Sequence, residues 1–380
     1  MNTLNAAEID QLLFSGPFGN TQHVFASCVE RVRAYLEFAS DDSLVSSIHE
    51  LIESSGPEAL SELALHPITR YVARRAMWRL MHGGNEDLAA PIQATIQTWS
   101  SAIVRTGQNG ATLGSNQMWL NPRVAPECAT LMTALYESEI APRSSPADVE
   151  LVAATASARA GAEEGHKILL NLLPRTAMSC LQHVKLICTY AVDGKFTASD
   201  AQSLAYFDSV STPTIPGAIF LFAGGLEEPW LAAESLLHEA VHTKLFDLYM
   251  SPGLLSPEYD ARESAMVLSP WNKDLEWRRN KWPFDQALGA YHVYIYLFGL
   301  FLAAVRSPQD EDSRIQCHVM KKLRHAMSRA KTLESQLTPL APAYLSEEGS
   351  AFFVWLNSCL AELSTIASDL PLHDVEKEFQ

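Results

Sequence analysis

The sequence predicts a mainly α-helical fold with a small β-sheet, an α+β architecture. Three observations point there. Apolar residues recur at helical spacing over most of the first hundred residues and again after residue 284. Two short segments near the middle have β-type composition, bounded by Pro and Gly. Between them and the C-terminal helices lies an apolar run carrying two histidines four residues apart. The expected organisation is a helical N-terminal region, residues 1–145, followed by a catalytic region, residues 146–380. No linker clearly separates the two, and a single domain fits the length of 380 residues as well.

Taken in chain order, the periodicity predicts helices over Asn5–Leu13, His23–Ala39, Ser43–Glu53, Pro57–Leu65, Ile68–Met81 and Ala89–Arg105, with Gly, Pro, Asn and Asp between them. Thr106–Val124 is rich in Gly and Asn and reads as turns, and Ala141–Pro146 as a loop. Asp148–Leu173 is Ala-rich and reads as one long helix, capped near Ser145-Pro146. After Pro174 the pattern changes. His183–Val192 and Gly217–Phe222 read as strands, the second stopped by Gly224-Gly225. Helices are then predicted at Phe284–Val305, Asp310–Leu337 and Glu347–Ser368.

Composition narrows the function classes. An apolar share of 47% and 20 prolines fit a globular chain with a substantial core. The net charge of −16 argues against nonspecific binding to nucleic acid or to an anionic membrane, and leaves a basic peptide or a small molecule as partner. The six cysteines are scattered with no Cys-x-x-Cys pair, which suits reduced thiols in the cytoplasm. The first residues lack the basic and apolar regions of a signal peptide. Ala287–Val305 carries no formal charge and is long enough to span a bilayer, but His292 and several Tyr hydroxyls suit a buried core helix better.

The chemistry concentrates in Glu234–His242, which contains His238-Glu239-x-x-His242. On a helix, residues four apart stand one turn above each other, so both imidazoles can reach one metal ion while Glu239 projects toward a bound water or substrate. Pro229 suits the first turn of this helix, behind the acidic pair Glu227-Glu228. A strand followed by such a helix is the order of zincin-like sites, where an edge strand aligns an extended peptide. A third ligand is needed, and His292, Glu263 and Asp260 are the candidates, with His292 preferred for its place in an uncharged helix. The extended pattern with a further Gly and His is absent, since Leu245 and Leu248 occupy those positions. Trp277-Arg278-Arg279-Asn280-Lys281-Trp282 mixes cations with indoles and could grip a carboxylate or a peptide.

Together these residues resemble the HExxH-domain proteins of ribosomal peptide modification. The similarity runs through Leu65-His66-Pro67, Pro216–Phe220, Leu237–Leu245, Ser269-Pro270-Trp271 and Gly289–His292, over roughly residues 60 to 305. It implies an iron(II)- and 2-oxoglutarate-dependent oxygenase that uses O2 to hydroxylate a side-chain β-carbon of a precursor peptide. By that resemblance His238, His242 and His292 hold the metal, Arg278 or Arg279 binds the 2-oxoglutarate, and Glu239 orients a ligand. The sequence departs from the family where Asn272 follows the Pro-Trp, which leaves the choice of arginine open. Two further readings accommodate the same residues: a zinc metallopeptidase with Glu239 as general base, and a non-catalytic peptide-binding scaffold.

Overall fold

The computed structural model describes residues 5–39, 43–53, 61, 63–82, 112–113, 117–123, 126–137, 149–192, 209–251, 253–272, 280–307 and 313–370. The chain begins with helices α1 (Ala6–Phe14), α2 (Gly16–Gly19), α3 (Gln22–Phe38), α4 (Ser43–Glu53) and α5 (Pro67–His82). Strands β1 (Thr112–Leu113) and β2 (Gln117–Trp119), helix α6 (Pro126–Leu135) and strand β3 (Val149–Val152) follow. Next come α7 (Ala156–Leu172), α8 (Pro174–Leu181), β4 (Leu186–Val192), β5 (Ser209–Ser211), β6 (Ala218–Phe222) and the long helix α9 (Pro229–Met250). The chain continues through β7 (Val267–Leu268), β8 (Lys281–Trp282), α10 (Phe284–Arg306), α11 (Ser313–Leu337), α12 (Ala341–Tyr344) and α13 (Glu347–Ile366). This is the mainly helical chain with a small sheet that the sequence predicts. The expected helix over Ala89–Arg105, most of that over Pro57–Leu65 and the loop at Ala141–Pro146 lie outside the described residues.

The chain divides into two compact units, each drawn from distant segments. One takes His23–His166 and Gln182–Ser235, the other Met1–Gln22, Lys167–Leu181 and Leu236–Gln380.

The first of these units holds a mixed sheet in the order β1-β2-β4-β6-β5. β4 lies parallel to β6 on one side. On its other side it pairs with β2 at Leu186 and Ile187 and with antiparallel β3 from Thr189 to Val192. Ile187, Cys188, Ile219, Phe220 and Leu221 are fully buried, as expected of strands in mid-sheet, whose sequences are apolar without alternation. The strand at Ala218–Phe222 is therefore not the edge strand that a peptide-aligning site needs: it is bonded on one side to β4 and on the other to β5. Gly217 turns the chain into β6 at φ +93, and its carbonyl accepts from the amides of Lys185 and Leu186.

The region expected as one helix from Asp148 to Leu173 is a strand and then a helix. Val149–Val152 pairs with β4, and α7 starts only after Thr155, whose hydroxyl caps it by accepting from the Ala158 amide (3.1 Å). Two apolar β-branched residues in four gave a local β preference that the Ala-rich stretch behind them masked. Along α7, Gly161 and Gly165 make room for the chain near α9. A methyl on Gly161 would sit 2.0 Å from the Leu226 carbonyl, and one on Gly165 would sit 2.7 Å from the Ala233 amide.

The second unit is built around α10. Sixteen of its residues are buried, among them Tyr291, His292, Tyr296 and Phe298. It has the length and hydropathy of a membrane span, yet most of it is buried within the protein, in line with the core helix expected from its polar hydroxyls and histidine. α1 packs on it so closely that a methyl on Gly299 would meet Leu13 at 2.4 Å. α1 is fixed at two points. Asn5 and Glu8 form a reciprocal capping box, and the buried Asp10 carboxylate caps α8 by accepting from the Arg175 (3.1 Å) and Thr176 (2.8 Å) amides.

Candidate metal centre

Helix α9 carries the His-Glu-x-x-His residues. Its first turn is closed by Glu228, whose carboxylate accepts from the amides of Trp230 (3.2 Å) and Leu231 (2.6 Å), with Pro229 in the position that has no amide to satisfy. Leu236, Leu237, Ala240, Val241, Leu245 and Leu248 are all at most 1% exposed, so the helix is packed on most sides and its orientation is fixed.

The three motif residues lie together in the second unit. The rings of His238 and His242 are 5.0 Å apart, centre to centre, inclined at 58°. His238 keeps a third of its side chain exposed, while Glu239 is buried with Oε1 3.7 Å from His238 Nε2. The His242 pKa is lowered to about 4, chiefly by burial and also by the neighbouring His238, with Glu239 opposing both. At neutral pH His242 is thus an uncharged imidazole, the form that binds a metal. Phe246 stacks on its far side at 6.2 Å. Gly289 of α10 lies opposite, where a methyl would come within 3.6 Å of His242 Nδ1 and Cε1.

The candidates for a third ligand are placed as follows. His292 is fully buried, edge-on to the rings of Tyr296 (4.9 Å) and Phe352 (5.2 Å). Asp260 is held by Arg262 within its own turn, through Nε at 3.1 Å and Nη2 at 2.6 Å, and this grip lowers its pKa to about 2. Glu263 is exposed in the same turn. Among the described residues no three or more His, Cys, Asp or Glu side chains form a group that could hold an ion. The structure therefore brings His238, Glu239 and His242 together and does not join His292, Asp260 or Glu263 to them. The donor chemistry fits a metal at two positions, and the described residues supply no third. Arg278 and Arg279 lie outside the described residues.

One residue behind the motif belongs to the resemblance but carries no role there. Lys244 is fully buried and donates from Nζ to the Gly19 carbonyl (2.8 Å), the Tyr296 hydroxyl (3.0 Å) and Ser179 Oγ (3.4 Å). Burial lowers its pKa, while the Cys180 and Cys359 thiols nearby raise it. Tyr296 is also the ring against which His292 packs. Lys244 thus ties the metal helix to α10. A lysine two residues past the motif inside an apolar run is the signal that marks it.

No protein-family model matches the chain, and no curated protein sequence matches it.

Proposed function

We propose that the protein is a metalloenzyme in which His238 and His242 hold one divalent ion with the Glu239 carboxylate beside it. The observation that carries this is the pair of rings 5.0 Å apart on one helix face, one of them kept neutral by burial, with a buried glutamate 3.7 Å from its partner. The resemblance drawn from the sequence favours iron(II) with 2-oxoglutarate, and hydroxylation by O2 of a side-chain β-carbon in a ribosomally made precursor peptide. In that reading the resemblance gives the third position to His292, which would have to turn from Tyr296 and Phe352 to reach the pair, and Arg278 or Arg279 pairs with the distal carboxylate of 2-oxoglutarate. Bound iron supplies the oxygen chemistry. The chain supplies the rest: His242 offers its nitrogen without first losing a proton, Phe246 shields one face of its ring, and Lys244 holds the helix in place.

Glu239 favours a second reading. A buried carboxylate next to the first imidazole is where a zinc hydrolase keeps its general base. Metal analysis of purified protein, followed by anaerobic addition of iron(II) and 2-oxoglutarate, separates the two. A visible charge-transfer band that His242→Ala abolishes supports the oxygenase. Tightly held zinc together with peptide cleavage that Glu239→Gln abolishes supports the hydrolase. No metal in either preparation and no loss of peptide binding in His242→Ala supports a binding scaffold and overturns the proposal.

A further inference from the structure

Helix α11 runs against the charge of its chain. The protein has 44 acidic residues against 28 Lys and Arg, for a net charge of −16. Over Ser313–Leu337 the balance inverts. Arg314, Lys321, Lys322, Arg324, Arg329 and Lys331 stand against a single acid, Glu334. The helix is also sided. Val319, Leu323, Ala326, Ala330, Leu333 and Leu337 are at most 3% exposed and seat it on the core.

The opposite stripe follows the alternating spacing of four and three residues that keeps side chains on one face. It carries Cys317, Lys321, Arg324, Ser328, Lys331 and Ser335. Cys317, Lys321, Lys331 and Ser335 are exposed, and Arg324 and Ser328 are half-buried. No acid and no large apolar side chain lies on this stripe. Lys321 and Arg324 stand three residues apart, where like charges cost a helix about 0.2–0.5 kcal/mol and an acid at either position would stabilise it by as much. A chain rich in acids places none there. An anion lying along the stripe relieves this repulsion. Ser328 is short, so the helix presents a low, uncharged step between the cations on either side. From Lys321 to Lys331 the axis rises about 15 Å, the length of four or five residues of extended peptide.

We propose that this stripe of α11 docks an acidic peptide segment, laid along the helix with its carboxylates on Lys321, Arg324 and Lys331. The lysine heads are in solvent, so the contact needs no cavity and no opening of the fold. Charge complementarity selects the partner and speeds its arrival. It also limits the partner's size. Unpaired charge is felt over about 8 Å at physiological salt, and a nucleic acid or an anionic bilayer continues past the stripe to meet a chain that is acidic as a whole. A short acidic segment gains the attraction without that repulsion. The site stands independently of the metal reading.

Fluorescence anisotropy on the full chain tests this with a labelled twelve-residue peptide of alternating Glu and Ala. Its counterpart with Gln in place of Glu, an oligothymidylate of the same length and phosphatidylserine vesicles serve as comparisons. The Glu peptide binds, the Gln peptide does not, and salt at about 0.5 M weakens binding several-fold. Lys321→Gln combined with Lys331→Gln weakens it by roughly tenfold. Both positions are exposed and glutamine is a good helix former, so the variant keeps its helix. Lys321→Arg combined with Lys331→Arg retains binding. Arg123→Gln, which removes an exposed cation from the other unit, leaves it unchanged, and so does His238→Ala. No binding of the Glu peptide, equal binding of the Gln peptide, affinity unchanged in the double glutamine variant, or tighter binding of the oligothymidylate or the vesicles overturns the proposal.

Discussion

His66 supplies a quantitative test of how burial governs this protein's response to acid. It sits at the turn into α5, 3% exposed, and burial pushes its pKa down to about 4. Its Nδ1 accepts from the Ile68 amide at 3.4 Å, a bond that a proton on Nδ1 would replace with repulsion. In the unfolded chain the same ring takes a proton near pH 6.5. Above that pH neither state is charged and the contribution is flat. Below it the unfolded state binds the proton first, so stability falls as pH drops from 6.5 through 4. With the folded pKa near 4, the loss is about 2 kcal/mol by pH 5 and about 3 kcal/mol by pH 4. His66→Asn keeps an acceptor oxygen near the Nδ1 position and cannot titrate. Urea unfolding of both proteins at pH 7.5 and pH 5 isolates the term, because His242 and every other titrating group cancels in the difference. The native protein should lose roughly 2 kcal/mol more than the variant over that interval. Equal losses would refute the argument that this ring is kept neutral by burial.

Two further perturbations probe packing, one in each unit. Gly161→Ala gains up to about 1 kcal/mol of helix propensity but places a methyl 2.0 Å from the Leu226 carbonyl. The backbone on that side cannot move aside as a flexible side chain could, so a net loss of about 2–3 kcal/mol is expected in thermal unfolding, and a neutral result would show that the approach of α7 is looser than described. Lys244→Met keeps the volume and removes three hydrogen bonds, for a net loss of about 1–3 kcal/mol, whereas Lys244→Ala adds a cavity and loses about 2 kcal/mol more. The folded amine gives up its proton at lower pH than the unfolded one, so in native protein this group makes stability rise with pH toward 10.5, and that slope should be missing in the methionine variant.

The long helices were legible because their signals are redundant. α4 matches its expected bounds, and α10 and α13 begin where expected. Each combines an apolar face with a cap or a breaker at its end. Where only one signal existed, the reading failed. Val149–Val152 was absorbed into the Ala-rich helix behind it, since nothing local announces that β4 waits to pair with it. α6 went unassigned although Cys128, Leu131, Met132 and Leu135 follow helical spacing and all are buried. At the site, spacing within one helix was enough to place His238, Glu239 and His242 side by side. It said nothing of partners from other helices. His292 is buried as its apolar surroundings suggest, but against Tyr296 and Phe352.

The way α1 is seated sets the order in which this protein can assemble. Leu13 and Ile9 fill the space over Gly299, and Asp10 closes the start of α8. On the ribosome α1 has α8 to dock against only after Thr176, 166 residues beyond Asp10, has been made, and α10 only later still. During that interval it is an exposed apolar peptide, open to capture by chaperones or by a neighbouring copy.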